Sequence, residues 1–330
     1  MKVLVTGGAG YIGSTISAAC ETHGIEPVIL DDLSTGVRRF PTSRPLYVGD
    51  VADGPLIDRI VGEHPDITAA VHCAAKVVVP ESVQRPLDYY DNNVSKGIAF
   101  ARHAQRNGID RILFSSSAAI YAASEDFIVD ESSTLAPSSP YANSKAILEN
   151  ILRDTAGAGG PRVIALRYFN PIGADPALRS GPQTLFPTHV LDKLIAAWRS
   201  GETFTITGAD WPTRDGSAIR DYIHVYDLAE AHIAALNRFD EVASRQNPFQ
   251  AVNVGTGRGV TVKELVAAFC QVVGEEVNVT IGASRPGDGP GAYTRTHRAR
   301  ALLGWRARRS LEDGIKDTLA WASRPQVANI

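Results

Sequence analysis

The run Lys2-Val3-Leu4-Val5-Thr6-Gly7-Gly8-Ala9-Gly10-Tyr11-Ile12-Gly13 constrains the fold more than any other part of the 330-residue chain. An apolar stretch of strand type breaks into glycines, and a helical pattern follows at once. A second apolar run, Pro27-Val28-Ile29-Leu30, ends in Asp31 and Asp32. Strand, glycine loop, helix, strand and terminal acid together form the context of a dinucleotide-binding fingerprint. Gly7 and Gly8 allow the tight turn, Gly10 lets the backbone approach a pyrophosphate, and Gly13 lets the helix lie close on the strand. The phosphates would rest on the helix N-terminus, where free N–H groups and the macrodipole favour negative charge. A carboxylate at Asp31 accepts from both ribose hydroxyls and repels a 2′-phosphate, which predicts NAD rather than NADP.

The first half of the chain keeps this rhythm. Strands are predicted at 2–6, 27–30, 46–49, 69–72, 111–115 and 162–167, and helices at 12–23, 55–63, 94–107 and 141–155. Strand alternating with helix over this length predicts an α/β fold with a doubly wound parallel sheet, its ligand beyond the carboxyl ends of the strands. After Phe169 the rhythm fails. Residues 170–187 are rich in Pro, Gly and Ser, and a helix pattern (188–199), a short strand (204–207) and a polar loop (208–220) follow. These predict a smaller substrate lobe. A helix at 226–239 and a buried strand at 251–255 are expected to return to the main sheet. The expected division is therefore 1–168 with returning segments at about 222–257, against 169–221 and 258–330.

Bulk properties narrow the function classes. A formal net charge of -3 argues against a protein that tracks nucleic-acid phosphates. Arg306, Arg308 and Arg309 read as a solvated face. Cys20, Cys73 and Cys270 have neither metal nor redox spacing and suit a reducing cytoplasm. The eight histidines form no ligand cluster, so no metal is expected. No signal peptide and no membrane span is predicted.

Tyr141 and Lys145 stand four apart in a helical stretch and share a face. A phenol titrates near 10 and is a poor base at neutral pH. A nearby ammonium, or a bound pyridinium, favours the phenolate, so Tyr141 is the candidate general base. Ser115, Ser116 and Ser117 follow the apolar run Ile112-Leu113-Phe114 and so fall at a strand's carboxyl end. A hydroxyl there could orient a substrate proton.

Longer motifs then become recognisable: GGAGYIGS at 7–14, DDLSTG at 31–36, GDVAD at 49–53, ESV at 81–83, YYDNNV at 89–94, FSSSAAIY at 114–121 and SPYANSK at 139–145. The second half adds RYFNPIGA at 167–174, WPTRDGSAIRDYIHVYDLAEAH at 211–232 and RPGD at 285–288. Over nearly its whole length the chain resembles the extended short-chain dehydrogenase/reductases, and closely the UDP-glucose 4-epimerase family. That resemblance implies a tightly held NAD, a UDP-sugar in the smaller lobe, and a homodimer built on helices near 94–105 and 142–152. The implied reaction is transient oxidation at the sugar C4, a swing of the oxidised sugar, and return of the hydrogen to the other face.

The resemblance also implies roles for particular residues. Tyr141 removes the proton from the 4-OH, Lys145 holds the ribose and lowers the phenol pKa, and Ser117 contacts the 4-oxygen. Gly7, Gly10, Tyr11, Ile12 and Gly13 cradle the pyrophosphate, while Asp31, Asp32 and Ser34 hold the adenosine ribose. Asp50 and Val51 fall at adenine contacts. Ala74, Ala75, Lys76, Asn93, Ser115 and Tyr168 line the nicotinamide side. Asn170, Thr184, Leu185, Thr205, Arg220, Arg285 and Asp288 contact the UDP-sugar.

Several positions depart from the family pattern. Ala122 and Ala142 stand where glycine is usual, and Thr184 where asparagine is common. Val77 stands where many members carry a lysine for the nicotinamide ribose, with Lys76 one place earlier. Counting from Arg285-Pro286-Gly287-Asp288, the gate beside the sugar C2 substituent falls at Ala292, with Tyr293 one register away. A small gate predicts that UDP-GlcNAc and UDP-GalNAc are accepted. Ala118 and Ala119 occupy the positions where a 4,6-dehydratase needs an acid–base pair, which argues against that rival. A UDP-glucuronate 4-epimerase needs only carboxylate recognition and stays open. A non-catalytic NAD-binding scaffold typically lacks the tyrosine or the lysine.

Overall fold

A computed structural model of the chain describes residues 1–38, 44–183, 189–284 and 288–324. From the N-terminus, β1 (Lys2–Thr6), α1 (Tyr11–Thr22), β2 (Glu26–Asp31), β3 (Leu46–Val48), α2 (Gly54–Glu63) and β4 (Ile67–His72) follow one another. Helices α3 (Val79–Gln84) and α4 (Pro86–Tyr90) lead through a π-helical turn, Asp91–Ser95, into α5 (Lys96–Arg106). Then come β5 (Arg111–Ser117), β6 (Ile128–Val129), α6 (Pro140–Gly157), β7 (Arg162–Tyr168) and β8 (Asn170–Ile172). Next are α7 (Val190–Ser200), β9 (Phe204–Thr207), β10 (Ile219–Arg220), β11 (Tyr222–His224), α8 (Val225–Asn237), α9 (Phe239–Val242) and β12 (Phe249–Val254). The C-terminal part holds β13 (Val260–Thr261), α10 (Val262–Val273), β14 (Val279–Gly282), β15 (Gly291–Thr294), a second π turn at Ala299–Leu303, and α11 (Leu311–Ala322).

Seven parallel strands form the main sheet in the order β12-β7-β5-β4-β1-β2-β3. Both faces are covered, so the strands are apolar throughout, and Val3, Leu4 and Val5 lose all solvent contact. One face packs on α1 and α8 through Ile16, Leu228 and Ile233. The other packs on α2, α5 and α6 through Ile57, Phe100 and Leu148. Strand order reverses between β1 and β4, which opens the crevice where such sheets bind ligands.

Strand β12 closes the sheet edge beside β7, and α8 packs on α1. The smaller lobe has its own core, where Leu194 of α7, Phe204 of β9, Phe269 of α10 and Ile315 of α11 meet. Its strands are short: a four-stranded sheet β13-β10-β15-β6 and the pairs β11-β8 and β14-β9. Strand β8 lies inside the stretch expected to be loop, and β10 ends the expected polar loop. Strands of two or three residues carry no readable alternation, so only their partners define them. The helix expected from Val94 starts as an α-helix only at Lys96, because the π turn precedes it.

Candidate active site

Helix α1 starts at Gly10 with no side-chain cap, whereas Asp53, Ser139, Thr261 and Ser310 cap α2, α6, α10 and α11. Its first N–H groups therefore face the crevice without a side-chain acceptor, as an anion site requires. Gly7 has φ +69°, and a Cβ there would lie 2.7 Å from the Ala74 amide nitrogen. A Cβ on Gly13 would run into the Gly7 carbonyl. Tyr11 and Ile12 open α1, and the Tyr11 hydroxyl donates to the Gly173 carbonyl at 2.6 Å, tying α1 to the second lobe. Asp31, 6% exposed at the end of β2, accepts from the Ala9 and Leu33 amides at 2.9 and 2.8 Å. Burial pushes its carboxyl up, and those two amides oppose it. Each oxygen keeps a further lone pair for a ribose hydroxyl. Asp32 accepts from the Ser34 amide and hydroxyl.

Asp50 accepts from the Lys96 ammonium at 2.5 Å and from the Ala52 amide at 2.8 Å. Burial raises its carboxyl, but these partners outweigh it and hold it below the ordinary range. Val51 beside it is buried. These features fit a dinucleotide lying across the carboxyl ends of β1, β2 and β4.

Beyond β4, Ala74, Ala75 and Lys76 run past the glycine loop. Asn93, in the π turn, holds this segment: it accepts from the Lys76 amide at 2.8 Å and donates to the Lys76 carbonyl at 3.0 Å. It also donates to Ser144 at 2.9 Å. Asn93 was expected to line the nicotinamide pocket. Its amide is instead engaged by protein, and it acts on the site through the Lys76 backbone. Tyr168 likewise points inward. Its hydroxyl meets Ser115 Oγ and lies 2.9 Å from His232 Nε2, within the core under α8. Phe169 takes the opposite side, packing with Tyr121 and Val129 against Ala118 and Ala292. Sequence inspection missed Phe169, although the alternation of strand side chains contains that signal. It also missed Gln183, which donates to the Ala9 carbonyl of the glycine loop.

Tyr141, Lys145 and Ser117 come together. Ser139 caps α6 by accepting from the Ala142 amide, with Pro140 in the first turn. This presents Tyr141 beside the end of β5. The Ser117 hydroxyl accepts from the Ala119 amide. Burial raises the Tyr141 phenol above its ordinary value, and the nearby Ser117 hydroxyl opposes that. Lys145 Nζ donates to the Ser115 carbonyl at 2.9 Å and stands 5.2 Å from the Phe114 ring centroid. Burial pushes the Lys145 ammonium down to about 8, with the Cys73 thiol opposing.

That shift has a measurable sign. Between about pH 8 and the ordinary lysine value near 10.4, the unfolded chain binds more protons than the folded one. Stability conferred on wild type by pH therefore rises across that window. Lys145→Met removes the buried charge, so the NAD-free variant melts higher than wild type at pH 7. The gain fades as pH climbs from 8 toward 10.4. Thermal unfolding at both ends of the window checks this; an equal or lower melting temperature at pH 7 contradicts it.

The substrate candidates are spread over the smaller lobe. Asn170 starts β8, its amide donating to the Asp221 carbonyl at 2.9 Å. The Arg220 guanidinium donates to the carbonyls of Ile219, Pro290 and Gly289. Thr205 points away from the lobe's core, and a Cβ on Gly282 would touch it. Asp288 is half-buried at the start of the segment leading to β15. Thr184, Leu185 and Arg285 lie outside the described residues.

Strand β15 pairs Ala292 with Arg220. Ala292 and Ala118 both pack on the cluster of Phe169, Tyr121 and Val129. The Tyr293 ring lies on the other side, where a Cβ on Gly259 would strike it. Alternation along β15 thus puts Ala292 and Tyr293 on opposite sides of the strand. Among the described residues no cluster of metal-ligating side chains occurs, and no helix is long and apolar enough to cross a membrane.

Residues 3–255 match the model of the NAD dependent epimerase/dehydratase family. The chain belongs to that family. The UDP-glucose 4-epimerase of Azospirillum brasilense is 42% identical over 323 residues, covering 97% of this chain and 91% of the relative. The crystal structure of a Stenotrophomonas maltophila UDP-glucose-4-epimerase with bound NAD and formylated UDP-arabinopyranose superposes with a TM-score of 0.91 at 35% identity, covering 97% of both chains. The UDP-Glc/GlcNAc 4-epimerase of Campylobacter jejuni gives a TM-score of 0.80 at 34% identity, covering 97% of this chain and 98% of that one.

Proposed function

We propose that the chain is an NAD-dependent UDP-hexose 4-epimerase that interconverts UDP-glucose and UDP-galactose, and also the N-acetyl pair. The observation that carries this is the seating of α6 on the end of β5, where Lys145 Nζ donates to the Ser115 carbonyl and Tyr141 stands one turn earlier on the same helix face, in the sheet whose central strand β1 ends in the glycine loop. Residues 1–168 with 222–257 hold the dinucleotide, and 169–221 with 258–330 hold the UDP-sugar. The chemistry supplied by NAD, when bound, is reversible uptake of the hydrogen on sugar C4, which permits its return to the opposite ring face.

The chain's own groups do the rest. Tyr141 takes the 4-OH proton and later returns it, so no net proton is exchanged. Ser117 donates to the phenolate oxygen and orients the 4-oxygen. Lys145 anchors the Ser115 backbone and offers its remaining N–H donors to a ribose. Arg220, with Arg285, supplies forked donors of the geometry that diphosphate oxygens require. Ala292 leaves space beside the sugar ring.

Two further features of the proposal have structural support. Val83, Leu87 and Ile147 are exposed apolar side chains on α3, α4 and α6, which pack together, and they suit burial against a second copy. The free cysteines Cys20, Cys73 and Cys270 suit a reducing cytoplasm.

The test begins by denaturing the purified protein and identifying the released nucleotide. Native protein is then assayed without added NAD on UDP-glucose, UDP-galactose, UDP-GlcNAc, UDP-GalNAc and UDP-glucuronate. NAD release and interconversion of both hexose pairs are expected. Turnover of the uronate alone would reassign the substrate. Material empty of dinucleotide and unresponsive to NAD would defeat the proposal.

A further inference from the structure

Three successive residues of β5 each hold one residue of α6. The Ser117 hydroxyl stands near the Tyr141 phenol, the Ser115 carbonyl accepts from Lys145, and Ser116 Oγ donates to Glu149 Oε2 at 2.6 Å. Tyr141, Lys145 and Glu149 are spaced by four and lie on one helix face. The first two are candidates for contact with cofactor and substrate. Glu149 reaches neither, being 1% exposed beneath them.

Glu149 is also ion-paired. Arg167 of β7, 2% exposed, donates through Nε to Glu149 Oε2 at 3.2 Å and through its Nη2 to Oε1. Arg153 approaches Oε1 at 3.5 Å from the surface. Arg167 sits opposite Ser116 in the β5–β7 register. Its other arm donates to the Tyr121 hydroxyl at 2.8 Å, and Tyr121 donates to Asn253 Oδ1 at 2.6 Å. Asn253 donates to Thr294 Oγ1 at 3.0 Å, two residues past Ala292 on β15. One hydrogen-bonded chain therefore runs from the helix of the candidate base to the strand bordering the sugar space.

A buried ion pair rarely stabilises a fold more than apolar side chains of equal volume would. What such a pair provides is direction, since both charges demand fixed partners. We propose that Glu149 and Arg167 are positioning residues that lock α6 onto β5 and so hold the Tyr141 oxygen against Ser117. The proposal rests on the epimerase function above. Displacing a reacting group by about 1 Å lowers turnover by roughly 100-fold.

The test replaces the pair together, Glu149→Leu with Arg167→Met, so that no charge is left buried alone. In the NAD-containing protein, kcat for UDP-galactose should fall about 30- to 100-fold with KM within about twofold. Adding Ser117→Ala to this variant should cost far less than adding it to wild type, because the contact is already broken. A kcat within threefold of wild type, or fully multiplicative effects, overturns the proposal. Should the double variant not fold, Glu149→Gln keeps the shape and is expected to lower kcat about tenfold at constant KM; unchanged kcat there is equally fatal. A readout independent of turnover is the Tyr141 titration, taken as the ultraviolet difference from Tyr141→Phe. Withdrawal of the Ser117 hydroxyl from the phenol should raise it. If wild type turns over no UDP-sugar while this titration still moves, the substrate assignment fails and the positioning role stands.

Discussion

Tyr141→Phe should lower turnover of UDP-galactose by roughly 1,000-fold or more while the dinucleotide stays bound. The substitution removes one oxygen and keeps the ring in its place at the start of α6, so packing changes little. Nothing else nearby replaces that oxygen. The Ser117 hydroxyl accepts from the Ala119 amide, and it is far too weak an acid to form the oxyanion itself. Lys145 is directed to the Ser115 carbonyl. The glycine loop and Asp31 are untouched, so denatured variant should release as much NAD as wild type. Burial in the chain alone makes the phenol less acidic, and the positive charge of a bound oxidised cofactor would favour the phenolate. The KM should move little, since the lost interaction belongs to the chemical step. Turnover within tenfold of wild type would remove Tyr141 as the base.

Ala292→Tyr is expected to separate the two substrate pairs. The new ring would enter the space bounded by Phe169, Tyr121 and Ala118, next to Ser117. Overfilling a packed site by several heavy atoms carries a penalty of about 1–3 kcal/mol, which is roughly 5- to 150-fold in rate. That penalty applies to the ligand with the larger C2 substituent. Turnover of UDP-GlcNAc and UDP-GalNAc should drop by one to two orders of magnitude. Turnover of UDP-glucose and UDP-galactose should stay within a fewfold. Tyr293→Ala is the control. That ring lies over Gly259 and Ile219 on the opposite side of β15, so its loss should leave the ratio of N-acetyl to plain substrates unchanged. Negligible N-acetyl turnover in wild type, or a selectivity change in the control, would contradict the assignment of Ala292.

Much of this architecture is legible one segment at a time. The glycine loop, the apolar strands β1, β2, β4, β5 and β7, and helices α1, α2 and α6 each carry their signal within a dozen contiguous residues. The Tyr141–Lys145 spacing and the serines at the end of β5 are equally local, and so the candidate catalytic residues can be picked out without coordinates. Ala292 could be counted from its motif, but only to within one residue.

Other features were not legible because their meaning lies in partners far along the chain. Tyr168 and Phe169 are neighbours with opposite fates, one joined to His232 under α8 and the other turned to Ala292. Asn93 is a clamp only because Lys76 and Ser144 meet it. Glu149 reads as an ordinary helix acid until Arg167 and Ser116 are placed beside it. The short strands β8, β10 and β15 exist through their pairings and have no period of their own.

By itself the sequence determined the doubly wound sheet and the glycine loop and singled out the candidate reacting side chains, since periods of 2 and 3.6 residues and glycine-dependent turns act over short spans. The tertiary structure alone decided which face each residue presents, which polar groups are already engaged, and how α6 is tied to β15. Those outcomes depend on contacts spanning 18 to 132 residues between Glu149, Arg167, Tyr121 and Asn253, and no local pattern encodes a partner that distant.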